Sequence, residues 1–396
     1  MNIHSIFIFL LIFLSVFKLK IGLFDITYLI LALSIFLILF KRFELKIDKK
    51  IILVLSSIIL IQIYTLISTL ISQHDNLFYV VKYTRVILSF LSTYIIFNYL
   101  LSKYSYKRLL KILGYVLITH ILLMWLQVFF PTFKEYIQSY LFSAGRNNWY
   151  RVTGLLNGTS SAGIFLGLSS VILFYLFLEF RERKFLYAYL ISIPLYPLSA
   201  VTGFIISIAG IFYLLLKYRH IKLKNVTSLL LICGFVIFVF IFTYYADIEW
   251  FDKYGITEAQ KRIILLFDDS VTVQHGNVLK SFDSLLNNYN IPEYGFPLLF
   301  GNIQPSKSEF ATTISDAGII TNLHAYGILG FLILISSLIL HNKISKNALM
   351  TALTLCYLIL MFKNDLLFGR IIYDLYASVM FLSLKMQQKE SVSTHL

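Results

Sequence analysis

Apolar residues run almost unbroken along this chain, and polar residues gather in short intervals between the runs. Runs long enough to cross a bilayer fall near 3–19, 24–40, 51–71, 77–101, 109–130, 160–180, 184–199, 201–217, 227–245, 318–340, 347–363 and 368–384. They predict an all-α fold with about twelve transmembrane helices, one transmembrane domain over residues 1–396. The runs at 184–199 and 201–217 are short, and Pro194 and Pro197 sit near their junction. Ile3–Phe17 lacks a basic leader and a small-residue cleavage site, so it predicts a retained first span, not a removed signal peptide. Two polar intervals stand out by length, 131–159 and 246–317. The shorter opens with Pro131-Thr132, a favoured helix start. Tyr136, Ile137, Tyr140 and Leu141 then recur at helical spacing, which predicts a short helix lying at the membrane interface. The longer ends in Ser315-Asp316-Ala317-Gly318, where the chain re-enters an apolar run carrying Asn322 to Gly330.

Composition narrows the class. Of 396 residues, 58% are hydrophobic and 14% charged; soluble domains carry about 25% charged residues. A soluble chain is excluded. The two cysteines, Cys233 and Cys356, lie inside apolar runs and form no disulfide framework or metal motif. No metal and no cofactor are expected. The net charge is +14, but the basic residues are scattered over short loops and form no stripe, so nucleic acid is a poor partner. Their placement orients the chain. Lys41, Arg42, Lys46, Lys49 and Lys50 fall in one loop; Lys103, Lys107, Arg108 and Lys111, then Arg181 and Arg183, then Lys217 to Lys224, then Lys343 and Lys346 fall in alternate ones. Of the intervening short loops, 72–76 and 198–202 have no Lys or Arg. Both termini are therefore expected in the cytoplasm, with 131–159 and 246–317 outside.

Charged and aromatic residues at the outer ends of the spans are the candidates for chemistry. Lys82 and Arg85 share one helix face, and Arg85 lies roughly 12 Å below the entry of its span. Intramembrane cations are costly and usually face a polar cavity or an anion; snorkelling to the interface is the other use. Arg146 and Arg151 flank Trp149 and Tyr150. A guanidinium donates two parallel hydrogen bonds to a phosphate, and a ring beside it can stack on a sugar; an ordinary interfacial belt has the same composition. Asp316, just outside its span, can accept a proton or serve as a helix cap. His324 lies about 9 Å inside the same span; a lone intramembrane His is more often a hydrogen-bonded core residue than a catalyst. The mixed charges of 246–317, Arg262 and His275 among them, suggest a folded cap.

Arg151-Val152-Thr153-Gly154-Leu155-Leu156 opening a span, Leu298-Leu299-Phe300-Gly301 closing the long loop, and Ser315-Asp316-Ala317-Gly318 followed by Tyr326-Gly327-Ile328-Leu329-Gly330 together resemble the O-antigen polymerase (Wzy) family. That family is grouped with the O-antigen ligases among multi-span, C-type glycosyltransferases. The resemblance implies a polymerase of lipopolysaccharide or another surface polysaccharide in the bacterial inner membrane. Its substrates would be undecaprenyl-pyrophosphate-linked oligosaccharides, with membrane lipid around it and a chain-length regulator as a further candidate partner. It implies Asp316 as the catalytic base. Arg151 and Arg85, with Arg262 or His275, would act on the pyrophosphate without a metal; Arg146, Trp149 and His324 would contact pyrophosphate or glycan. Asp316 stands where the ligases resemble one another in a His, eleven residues before the first Gly of the GxxG pair. Two departures exist: Ser199-Ala200-Val201-Thr202-Gly203 lacks the Arg many relatives have there, and the loop Arg of relatives has no clear counterpart. A ligase and, from another class, a lipid-linked oligosaccharide flippase are the alternatives.

Overall fold

A backbone with little water around it must close its hydrogen bonds locally, and this chain does so in helices. The computed structural model describes residues 3–21, 24–40, 47–71, 77–141, 151–156, 158–218, 257, 260–261, 295–301, 318–361 and 371–393. The span at 227–245 and nearly all of the interval 246–317 lie outside them. The helices are α1 (Ile3–Val16), α2 (Ile26–Phe40), α3 (Lys49–Ile71), α4 (Phe78–Lys103), α5 (Tyr106–Phe129), α6 (Pro131–Leu141), α7 (Thr159–Phe180), α8 (Arg183–Ser192), α9 (Leu195–Leu198), α10 (Val201–Lys217), α11 (Phe296–Phe300), α12 (Gly318–Ser345), α13 (Ala348–Met361) and α14 (Ile372–Ser393). One pair of two-residue strands, Lys20–Ile21 with Phe24–Asp25, forms the connection between α1 and α2.

Among the described residues, five helices are long and apolar enough to cross a membrane: Lys49–Ile71, Tyr79–Lys103, Tyr106–Phe129, Thr159–Phe180 and Asn322–Ser345. Shorter apolar helices accompany them. Large apolar side chains stand exposed along α2 and α3, with Phe40 and Leu70 each 70% exposed. A water-soluble surface rarely carries apolar faces this continuous, whereas lipid covers them at no cost. Among the described residues this is a helical membrane protein, the one strand pair aside.

The run at 184–199 forms two short helices, α8 and α9, where the hydropathy predicts one span. Pro194 has no N–H to give and caps α9 at φ −66°, so the ladder stops there. At ten residues, α8 is about 15 Å long.

The chain divides into two compact units: Met1–Lys18, Asp25–Ile112 and Leu285–Leu396 in the first, Leu19–Phe24 and Leu113–Ser284 in the second. In the first, α4 packs against α1, α2, α3 and α14, and α12 packs against α3, α11, α13 and α14. Phe381 of α14 sits among Phe90, Tyr94 and Phe97 of α4. In the second, α7 is buried almost throughout and packs on α8 and α10. Gly163 and Gly167 of α7 lie against Ala200 and Gly203; a Cβ on Gly203 would run into the Gly163 carbonyl. Small residues four apart let the two backbones touch.

Candidate functional site

In the second unit, the Arg151–Gly154 segment leads into α7 and is fixed at every residue. The Val152 N–H donates to the Leu198 carbonyl at 2.9 Å. Gln127, on α5 and buried, takes the next two: its Oε1 accepts from the Thr153 N–H at 3.0 Å and the Gly154 N–H at 2.8 Å. Its Nε2 donates to the Gly154 carbonyl at 2.8 Å. Gly154 has φ +59°, and a Cβ there would strike the ring of His120. The position thus demands glycine for both conformation and space. Arg151 Nη1 donates to Thr159 Oγ1 at 2.8 Å. Its Nε is buried with no hydrogen-bond partner among the described residues. The result is a guanidinium on a rigid backbone, with donor capacity left over.

α6 precedes this segment in the chain. Tyr136 and Tyr140 are exposed on one face, Lys134 and Gln138 buried on the other. Burial holds the Lys134 ammonium down, at about 8.

In the first unit, two of the sequence motifs meet. α12 is broken at Gly327, whose φ and ψ are 62° and −175°. Against this break lies the end of α11. Gly301, φ +75°, has no room for a Cβ beside the backbone of Ala325 and Gly327; Gly327 has none beside Leu299 and Gly301. The Tyr64 hydroxyl of α3 shares its proton between the carbonyls of Phe300, at 2.9 Å, and Tyr326, at 2.6 Å, so carbonyls freed at the break are satisfied. Tyr326 packs edge-on to Tyr79 of α4, and its hydroxyl accepts from Tyr83 at 3.1 Å. Lys82 lies 5.4 Å from the centre of the Tyr79 ring. Beyond Tyr64 and Phe300 an apolar groove of 820 Å3 runs between α3 and the second half of α12, past Leu60, Ile67, Leu332 and Leu340.

A polar stripe follows one face of α4 at Arg85, Ser89 and Thr93, spaced by four. Arg85 Nε lies 3.4 Å from Asp25 Oδ2, and its Nη2 donates to Thr27 Oγ1 at 3.2 Å. One turn on, the fully buried Lys18 ammonium is ringed by Ser89 O (2.9 Å), Ser89 Oγ (2.5 Å), Thr93 Oγ1 (2.6 Å) and Asp374 Oδ1 (3.2 Å). Ser89 Oγ also donates to Asp374. Arg85 is thus held by protein groups at the α1–α2 junction, with about a quarter of its side chain exposed.

Of the residues predicted from sequence, Arg151 lies in the second unit, and Arg85 and His324, half-buried on the first half of α12, in the first. Asp316, Arg146, Trp149, Arg262 and His275 lie outside the described residues. Gln127, Tyr64 and the Lys18–Asp374 pair went unread in the sequence. Each is a single polar group inside an apolar run, and for Lys18 and Asp374 the cost of an intramembrane charge was the available signal. Among the described residues, no three His, Cys, Asp or Glu side chains gather as a metal site requires. Comparison with protein-family models gives no match, and comparison with curated proteins gives none either.

Proposed function

We propose that this chain is a polysaccharide polymerase of the bacterial cytoplasmic membrane, joining undecaprenyl-pyrophosphate-linked repeat units on the outer face. In this reading about twelve spans cross the bilayer, both termini are cytoplasmic, and 131–159 and 246–317 lie outside. The observation that carries it is the docking of Gly301 against Gly327. The turn that closes the long loop and the helix that follows Asp316 are separate motifs of the resemblance, and they form one packed junction. Beside that junction runs a groove whose apolar walls suit a polyprenyl chain. The fixed Arg151 suits an anion.

The chemistry is a single displacement. An acceptor sugar hydroxyl attacks the anomeric carbon of the donor; its oxygen forms the new glycosidic bond and its proton passes to Asp316. The bond from that carbon to the pyrophosphate oxygen breaks, and undecaprenyl pyrophosphate leaves with the electron pair, inverting the carbon. Arg151, with Arg85 and a loop cation, Arg262 or His275, stabilises the charge that grows on the leaving group. A flippase reading would draw instead on the buried Lys18–Asp374 pair, since intramembrane charges also mark transport pathways.

Deletion followed by a gel of surface polysaccharide tests this. A ladder that collapses to core plus one repeat fits a polymerase; loss of every attached repeat fits a ligase or flippase and overturns the proposal. Asp316→Asn refines it. A helix cap tolerates Asn, and even Ala costs only about 1 kcal/mol there. A general base does not tolerate it, and its loss is worth roughly 100- to 10,000-fold in rate. Asp316→Asn is expected to insert normally and form almost no ladder, with His324→Ala milder.

A further inference from the structure

We propose that Gln127 is a positioning residue for Arg151, setting the geometry with which the guanidinium meets an anionic donor; this rests on the reading of Arg151 given above. A guanidinium at the end of a loop has a long, mobile stem, and a site built on a loop is only as accurate as the groups that brace it. Here the brace is one carboxamide. Gln127 receives the N–H groups of Thr153 and Gly154 and donates to the Gly154 carbonyl, fixing the three successive peptides from Val152 to Leu155. Val152 is tied to Leu198, and the His120 ring closes the space above Gly154. The N–H groups of 152, 153 and 154 are therefore all engaged. Residues 152–154 thus keep no free N–H for an anion, and recognition falls to the Arg151 side chain with its spare Nε donor.

A carboxamide of this length supplies an acceptor for two N–H groups and a donor for the carbonyl, and keeps both at every pH. Leu supplies neither. An ionised Glu accepts from both N–H groups but turns a second oxygen toward the Gly154 carbonyl. A protonated Glu restores all three hydrogen bonds, because its O–H can donate to that carbonyl. Gln127→Glu therefore becomes a variant whose competence depends on pH through this one contact. A buried Gln that only satisfies backbone groups gives no such dependence beyond a change in the amount of folded protein.

The experiment uses the full chain in proteoliposomes, with lipid-linked repeat units isolated from a strain deleted for it. Ladder formation is normalised to folded protein, alongside hydrogen–deuterium exchange of the peptide containing residues 152–154. Gln127→Leu is expected to exchange faster there and to lose roughly 100-fold in rate, the scale of a small misplacement of a reacting group. Gln127→Glu, assayed as a series from about pH 5.5 to about pH 9.5, is expected to lose activity relative to wild type as the pH rises and its carboxyl ionises. If Gln127→Leu does not fold, the pH series of Gln127→Glu still decides. Normal ladders from the Gln127 variants at every pH, with Arg151→Ala dead, overturn the positioning role and leave the function standing. Full activity in Arg151→Ala overturns the role assigned to Arg151, and the positioning role with it.

Discussion

Lys18 is surrounded by four oxygens from α4 and α14 and reaches no water. Taking an ammonium and a carboxylate out of water costs several kcal/mol each, and their attraction repays it only while both are present. Lys18→Met or Asp374→Leu alone should therefore leave an uncompensated charge and cost about 3–5 kcal/mol. The double variant should recover most of that. Thermal unfolding of the detergent-purified proteins checks the pattern; a double variant as weak as the worse single would show that the hydroxyls of Ser89 and Thr93, not the ion pair, set the local stability. Lys18 and Asp374 were legible as charges but not as a pair. They lie at opposite ends of the chain, inside runs whose average hydropathy hides one polar group. Arg151 stood out in the sequence by its charge beside Trp149 and Tyr150 and by the motif that follows it, whereas Gln127, which ties down Thr153 and Gly154, was one amide in an otherwise apolar helix.

At the scale of elements, the break in α12 is held from three sides: by Gly327 itself, by the close approach of Leu299–Gly301, and by the Tyr64 hydroxyl. The φ and ψ of Gly327 fall in a region essentially closed to residues with a Cβ, where strain is about 1–3 kcal/mol. Gly327→Ala adds a collision with the Leu299 carbonyl to that strain. Tyr64→Phe removes only a shared hydrogen bond, about 0.5–1.5 kcal/mol. Gly327→Ala should lower the unfolding temperature more than Tyr64→Phe, and the same scan of both proteins measures it. Equal losses would mean that the hydroxyl is what holds the break. Hydropathy read α3, α4, α5, α7 and α12 because charged intervals bound each one. It missed the break within α12 because the apolar run continues through Gly327; the backbone path there is set by what docks against it. The split of α8 from α9 was closer to legible, since Pro194 removes a donor wherever it stands.

Across the whole molecule, the uneven spread of Lys and Arg between alternate loops is the feature with the most direct test. Reporter fusions near Lys46, Lys107, Arg219 and Lys346 should read cytoplasmic, and fusions near Asn148 and Asn288 should read external. A cytoplasmic reading at Asn288 would put the long loop in the wrong compartment for lipid-linked repeat units. The buried charges of the first unit bear on the same scale. Arg85 and Asp25 lie close enough to the Lys18–Asp374 pair to act on it, and the four formal charges sum to zero. A transmembrane voltage does work of about 2.3 kcal/mol per 100 mV on each unit charge carried across. On a neutral quartet moved as one body the net work vanishes. Moved together, these two cations and two carboxylates would therefore take no net work from a transmembrane voltage, and this cluster by itself would not make the protein a voltage sensor.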